Sequence, residues 1–346
     1  MDSVSFRMAG SGNWQKLLPD EEARSLYARI YPEGAFLRQV DDHLKDIITS
    51  WQKAGIAKIV NQRLVPLGPI MTDGDIDILV PWFQDISTCM CQVISRCLAD
   101  YRLLAESLCG GTDAPKHKVD NLVTIMTCGE ALDIWTFTKL RQHLLGPHPP
   151  RGTAGRFFFW GYAFSNGPKR IFGVTTYGAT KKARISVIRS HGLERGNMPA
   201  LLRQESVLNY LTGLCLFNET ALRGYQTQHE IKEIERSVRR VGLLLPEETP
   251  RLAIPVLSDR DMEKAADLHN KVSADIASHF ATQMGKLQRM ISRCSFAECS
   301  PQDVLTMMFH LAYSYAADAL VLAGAIPDFP QQAGGEWGVW VRLTEE

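Results

Sequence analysis

The chain holds 346 residues, with 38 Lys or Arg against 38 Asp or Glu, 45% hydrophobic residues and 22% charged ones. That length suits two or three packed units, and that mixture excludes a largely disordered, collagen-like or coiled-coil chain. No stretch approaches the ~20 uninterrupted apolar residues that span a bilayer. The N-terminus lacks a basic head before an apolar run, so neither a membrane span nor a secretory leader is expected. Eight cysteines are too sparse for a disulfide framework and fit a reducing, intracellular compartment.

Residues 1–19 read as a flexible lead. A helical pattern follows over 19–58, broken at Pro32 and Gly34, with Phe36, Val40, Leu44, Ile47, Ile48 and Trp51 on one stripe. Asn61–Leu67 reads as a short strand closed by Gly68 and Pro69, and Asp75–Val80 as a second strand after a turn at Asp73-Gly74. An amphipathic helix occupies 84–108. A hairpin is expected from 121–126 and 131–137, turning at Cys128-Gly129. Aromatic and β-branched runs make strands of 156–164 and 170–177, the first a buried one. Helix returns at 179–191 and dominates 199–241, and a proline-containing connector covers 243–257. Further helices fill 259–293 and 301–323 before a tail with Trp337 and Trp340. In the last helix Leu305, Phe309, Ala312, Tyr313, Ala316 and Leu320 form a stripe for the core, a protein partner or a dimer. The fold class is α+β, with a helical C-terminal unit.

Zero net charge hides an uneven distribution. Ten Lys or Arg and one acid, Glu194, lie between Arg151 and Arg203, whereas 252–346 carries seven bases and twelve acids. The basic stretch 151–203 suits a polyanion such as nucleic acid; a solvated surface is the simpler account on charge alone.

The most informative residues are Gly74-Asp75-Ile76-Asp77-Ile78-Leu79. Aspartate is disfavoured within strands, and on a strand Asp75 and Asp77 share one face, where their repulsion calls for a cation. A single Asp133 likewise interrupts the apolar run Ala131–Trp135. Neighbouring strands would bring three carboxylates together, the arrangement that holds two Mg²⁺ or Mn²⁺ ions ~4 Å apart around a phosphoryl group. Turn-bound aspartates with an unrelated Asp133 are the competing account.

On these motifs the sequence resembles the DNA polymerase X family, the polymerase-beta-like nucleotidyltransferases. Beyond the three aspartates, Phe172-Gly173 leading to Tyr177-Gly178, the Arg189-containing segment closed by Gly192-Leu193, and Glu230–Arg251 follow in family order over roughly 30–251. The resemblance implies a palm over 36–150 after a lead and helix at 1–35. A palm end with a thumb-like region at 151–251 and a helical extension at 252–346 would follow. It implies transfer of a nucleoside monophosphate from an NTP or dNTP to a nucleic-acid 3′ end, DNA in the family. Asp75, Asp77 and Asp133 would be the metal ligands and catalytic residues. Gly68, Gly74, Tyr177 and Gly178 would line the nucleotide, and Lys181, Lys182, Arg184 and Arg189 would contact phosphates. The family's Gly-Ser and paired arginines are missing, and Pro69 removes a further N–H. Two other readings therefore stand beside transfer: a binding or structural protein that has lost it, and a transferase acting on a protein or small molecule.

Overall fold

The structure, a computed structural model, describes residues 4–180, 183–191, 201–215, 227–245, 250–328 and 336–342. The strands are β1 (Ser5–Gly12), β2 (Ala35–Phe36), β3 (Ala57–Val60), β4 (Arg63–Pro66), β5 (Ile70–Thr72), β6 (Gly155–Ala163), β7 (Ile171–Thr180), β8 (Ala183–His191), β9 (Val256–Ser258) and β10 (Glu336–Arg342). The α-helices are α1 (Glu21–Arg29), α2 (Lys45–Lys53), α3 (Asp73–Cys109), α4 (Lys116–Thr124), α5 (Thr136–Leu140), α6 (Glu205–Cys215), α7 (Gln228–Arg240), α8 (Asp259–Glu263), α9 (Ala266–Thr282), α10 (Met284–Ile291) and α11 (Pro301–Leu322). Helices and small sheets thus coexist, as the α+β expectation requires.

The chain divides into two compact units, each drawn from separated segments. Met1–Ile86, Lys139–Gly167 and His279–Ala312 form the first; Ser87–Thr138, Pro168–Ser278 and Tyr313–Glu346 form the second. The blocks read from the sequence at 36–150 and 252–346 each contribute to both.

In the first unit β6 is the centre of a three-stranded sheet, antiparallel to β1 and parallel to β5. The expected flexible lead is therefore a strand from Ser5 onward. Gly12 in it has φ +155° and lies so close to Ala154 that a Cβ would stand 2.3 Å from the carbonyl oxygen. The aromatic run is buried as expected: Phe157, Phe158 and Phe159 are inaccessible. Each such ring contributes roughly 1.5–3 kcal/mol of apolar burial. Phe159 stacks on Phe6 at 5.6 Å, and Tyr27 meets Trp51 edge-on at 5.1 Å. A second small sheet, ordered β2-β4-β3, belongs to the same unit.

The second unit holds a sheet ordered β7-β8-β10-β9. The helix expected at 179–191 is instead the strand β8, paired antiparallel with β7. Its β-branched Ile185 and Val187 alternate into a core with Tyr210, Leu211 and Val238, a period-two pattern that a helix cannot present on one side. The tryptophan-bearing tail is β10, which pairs with β8 and β9.

The hairpin expected at 121–137 is continuous helix: α4, a π-helical stretch Ile125–Trp135, then α5. An apolar run bounded by turn residues does not by itself separate a buried strand from a buried helix. Gly129 is not a turn; a Cβ there would press on Ile188 and Val174 at 3.2–3.4 Å, so its smallness lets helix and sheet approach. The stripe on α11 is buried in this chain at Phe309, Ala312, Tyr313, Ala316 and Leu320. That helix alone among the described residues is long and apolar enough to cross a membrane, and 78% of its most apolar window is buried inside the protein.

Candidate functional site

Asp75 and Asp77 lie on helix α3, not on a strand. The reason is local: Thr72 and Asp75 form a reciprocal cap. Asp75 Oδ2 accepts from the Thr72 amide at 3.0 Å and from its hydroxyl at 2.7 Å, while the Asp75 amide donates back to Thr72 Oγ1 at 3.4 Å. This satisfies amides that a helix start leaves open. Residues two apart on a helix do not share a face. Asp75 is buried, whereas Asp77 is exposed and accepts from Asn166 Nδ2 at 2.8 Å. The cation demanded by two adjacent like charges is therefore not needed.

Asp75 is also engaged from the turn that follows α10. Ser295 donates its amide to Oδ1 and its hydroxyl to Oδ2, both at 2.7 Å. Four donors thus occupy the two oxygens. Oδ2 takes three of them and Oδ1 one, so a divalent ion at Asp75 would have to displace donors from Oδ2 or share Oδ1 with the Ser295 amide. Asp73 is spent in the same way, taking the Ser165 and Asn166 amides at 2.7 and 2.9 Å, which lowers its carboxyl pKa.

Asp133 sits in the π-helical stretch of the second unit, buried, and accepts from the Val174 amide at 3.0 Å. Burial raises its carboxyl from 3.8 to about 7, against the opposing pull of that amide. Glu130, one helical turn earlier, is missed by sequence reasoning. Burial lifts it to about 7 as well, Asp133 adding to the rise and Arg184 opposing it. Tyr313 Oη is buried with no hydrogen-bond partner among the described residues, and burial, Asp133 and Cys128 all disfavour its ionisation. An acidic residue inside an apolar run, three positions before a second one, was the available signal. The pair thus holds its protons more tightly than exposed acids do.

The remaining expected contacts disperse. Gly68 gives its N–H to Tyr27 Oη at 2.9 Å, and a Cβ would stand 2.7 Å from the Phe159 ring, so this glycine serves packing, not phosphate. Gly74 is the second residue of α3, where a Cβ would meet Thr72 Oγ1 at 4.0 Å, an ordinary contact. Tyr177 lies on β7, half-buried against the second unit's core, and Gly178 follows it in the strand. Lys181 and Lys182 lie outside the described residues. Arg184 and Arg189 are on β8, the former exposed, and of the latter's side chain nothing is described. Two cations of the basic stretch are internal. Arg151 pairs with Asp303 through Nη2 at 2.6 and 2.7 Å, and Arg170 with Asp318 and Asp328 at 2.7 Å each.

Among the described residues, the group able to converge on an ion is Glu22, Asp41 and His43, whose ligand atoms lie within 4.8 Å of one another; all three are exposed. It contains none of the expected ligands. All eight cysteines are free thiols.

No protein-family model matches the chain, and comparison with curated proteins and with solved structures returned no match.

Proposed function

We propose that the chain is a binding or structural protein of a reducing, intracellular compartment, not a metal-dependent nucleotidyltransferase. The observation that carries this reading is the Asp75 carboxylate, buried and accepting four hydrogen bonds, two from its helix cap and two from Ser295. Breaking such charge-assisted bonds to admit Mg²⁺ would cost about 1.5–3 kcal/mol for each. The eight free thiols support the compartment.

Transfer of a nucleotide by a polymerase-beta-like palm and thumb is the rival, and it rests on the order of the sequence motifs. Calorimetry with Mg·dATP and Mg·ATP separates the two, alongside extension of single-stranded and templated primers with Mg²⁺ or Mn²⁺. No binding and no extension are expected. Extension that disappears in the exposed variant Asp77→Asn, with its melting temperature unchanged, would establish the transferase instead.

A further inference from the structure

The small sheet β2-β4-β3 of the first unit has one face outside the core. Its register aligns Phe36, Arg63 and Val60 in a row across the three strands, with Lys58 beside Val65 in the next row. Side chains aligned in register share a face, so these five point together, while Leu64 and Ala57 point the other way and are buried. Phe36 and Val60 keep 38% and 44% of their surface in solvent.

Charge on this face has one sign. The guanidinium carbons of Arg38 and Arg63 lie 5.3 and 5.1 Å from the Phe36 ring centroid. Arg63 Nη2 is anchored on the Glu33 and Gly34 carbonyls at 2.7 and 3.3 Å. Lys58 is exposed. Among the described residues none of these three cations pairs with a carboxylate.

The sheet also ends in an open edge. Asn61 and Gln62 have φ of +50° and +61°, a two-residue hairpin loop that makes Val60 and Arg63 a hydrogen-bonded pair. The bond from the Leu67 amide to the Ile56 carbonyl, 2.7 Å, sets the same phase at the other end. Pairs alternate along an antiparallel ladder, so the peptide groups of Ala57 and Ile59 turn away from β4. Among the described residues nothing bonds Ile59 there.

We propose that β3 is a docking edge for an acidic, extended peptide that joins the sheet as a fourth strand. The proposal rests on the reading of the chain as a binding protein. Backbone bonds to Ile59 would hold the strand, and side chains at alternate positions would select it. An Asp or Glu opposite Lys58 and a branched apolar residue opposite Val60, two positions apart, complete the outer face. Single-stranded nucleic acid fits less well, because two guanidinium groups already lie over the Phe36 ring, the aromatic side chain of this face on which a base would stack.

The test titrates the full chain with a labelled eight-residue peptide. Its even positions are threonine and its odd positions alternate glutamate and valine. The same peptide with lysine for glutamate and a short oligo-dT are the comparisons. The glutamate peptide is expected to bind at least about tenfold more tightly than the lysine one, and more weakly as salt rises. Lys58→Glu should abolish that preference. Ile59→Pro, which removes an outward N–H and spares the β4 ladder, should weaken binding about tenfold. A probe N-methylated on its β3-facing edge makes the same test with the protein unaltered. Equal binding of the N-methylated and plain probes, no charge preference, or tighter binding of oligo-dT would overturn the proposal. None of these outcomes bears on the Mg·nucleotide titrations, so the two readings fail separately.

Discussion

At Asp133 a carboxyl is buried, and its proton rather than its charge suits that place. The folded state keeps the proton up to about pH 7, whereas the unfolded chain releases it near 3.8. Between those values the folded form binds more protons. Stability from this group is therefore greatest below about pH 4, falls as pH rises to about 7, and is level beyond. Asp133→Asn keeps an acceptor for the Val174 amide and carries no titrating proton. The advantage of the variant over wild type is expected to widen between pH 5 and pH 8, by an amount on the order of 1–3 kcal/mol. Urea unfolding at both pH values measures it, and an advantage that does not widen would contradict the account. The residue was legible in the sequence as an oddity, a lone acid in an apolar run. Its chemistry was not, because protonation follows from burial, and burial from the helix that the run becomes. Glu130 was overlooked for the same reason: on a presumed hairpin it sits at a turn, on a helix it stands one turn from Asp133.

Element α3 carries the largest departure from the sequence reading, and its signal was present. Thr72-x-x-Asp75 before an apolar stretch is a helix-start signature, and Ile76, Leu79, Phe83, Ile86, Met90, Ile94, Cys97 and Tyr101 continue at three-and-four spacing and are buried. Alternation over six residues, Gly-Asp-Ile-Asp-Ile-Leu, competes with that longer pattern and loses to it. Periodicity also fails where a run is apolar on all sides, which is why residues 121–137 could be read as a hairpin. Strands β6 and β7 were legible because aromatic and β-branched residues there have no competing helical stripe. The capping account predicts that Thr72→Ala destabilises the protein by about 1 kcal/mol, the usual worth of a helix cap. Asp75→Asn should cost more, about 2–3 kcal/mol, because its amide group presents a donor to four donors. Chemical denaturation reads both; equal and negligible effects would remove the cap from the explanation.

For the whole molecule the decisive feature is that the first unit closes with residues 279–312, far along the chain from its sheets. Arg151 makes this explicit. Its guanidinium bonds the carbonyls of Ala54, Gly55 and Phe157 and both oxygens of Asp303, whose Oδ1 also takes the Phe159 amide. Both side chains are nearly inaccessible, so removing one leaves a buried, unpaired charge, a loss of about 3–5 kcal/mol. Ser295, two of Asp75's four donors, comes from the same late segment. A fragment ending at Arg251 retains the whole span that resembles the polymerase family, yet it lacks Asp303, Ser295 and all of α9, α10 and α11. On the contiguous reading of the sequence it would be a self-sufficient palm and thumb. With interleaved units it should show no cooperative thermal transition and should be digested by protease under conditions that spare the full chain. A fragment that melts cooperatively would mean that the late segment decorates the first unit instead of completing it. Arg151→Met in the full chain supplies the matched point mutant: it should lower the melting temperature sharply while Arg156→Met, on the exposed side of β6, leaves it unchanged.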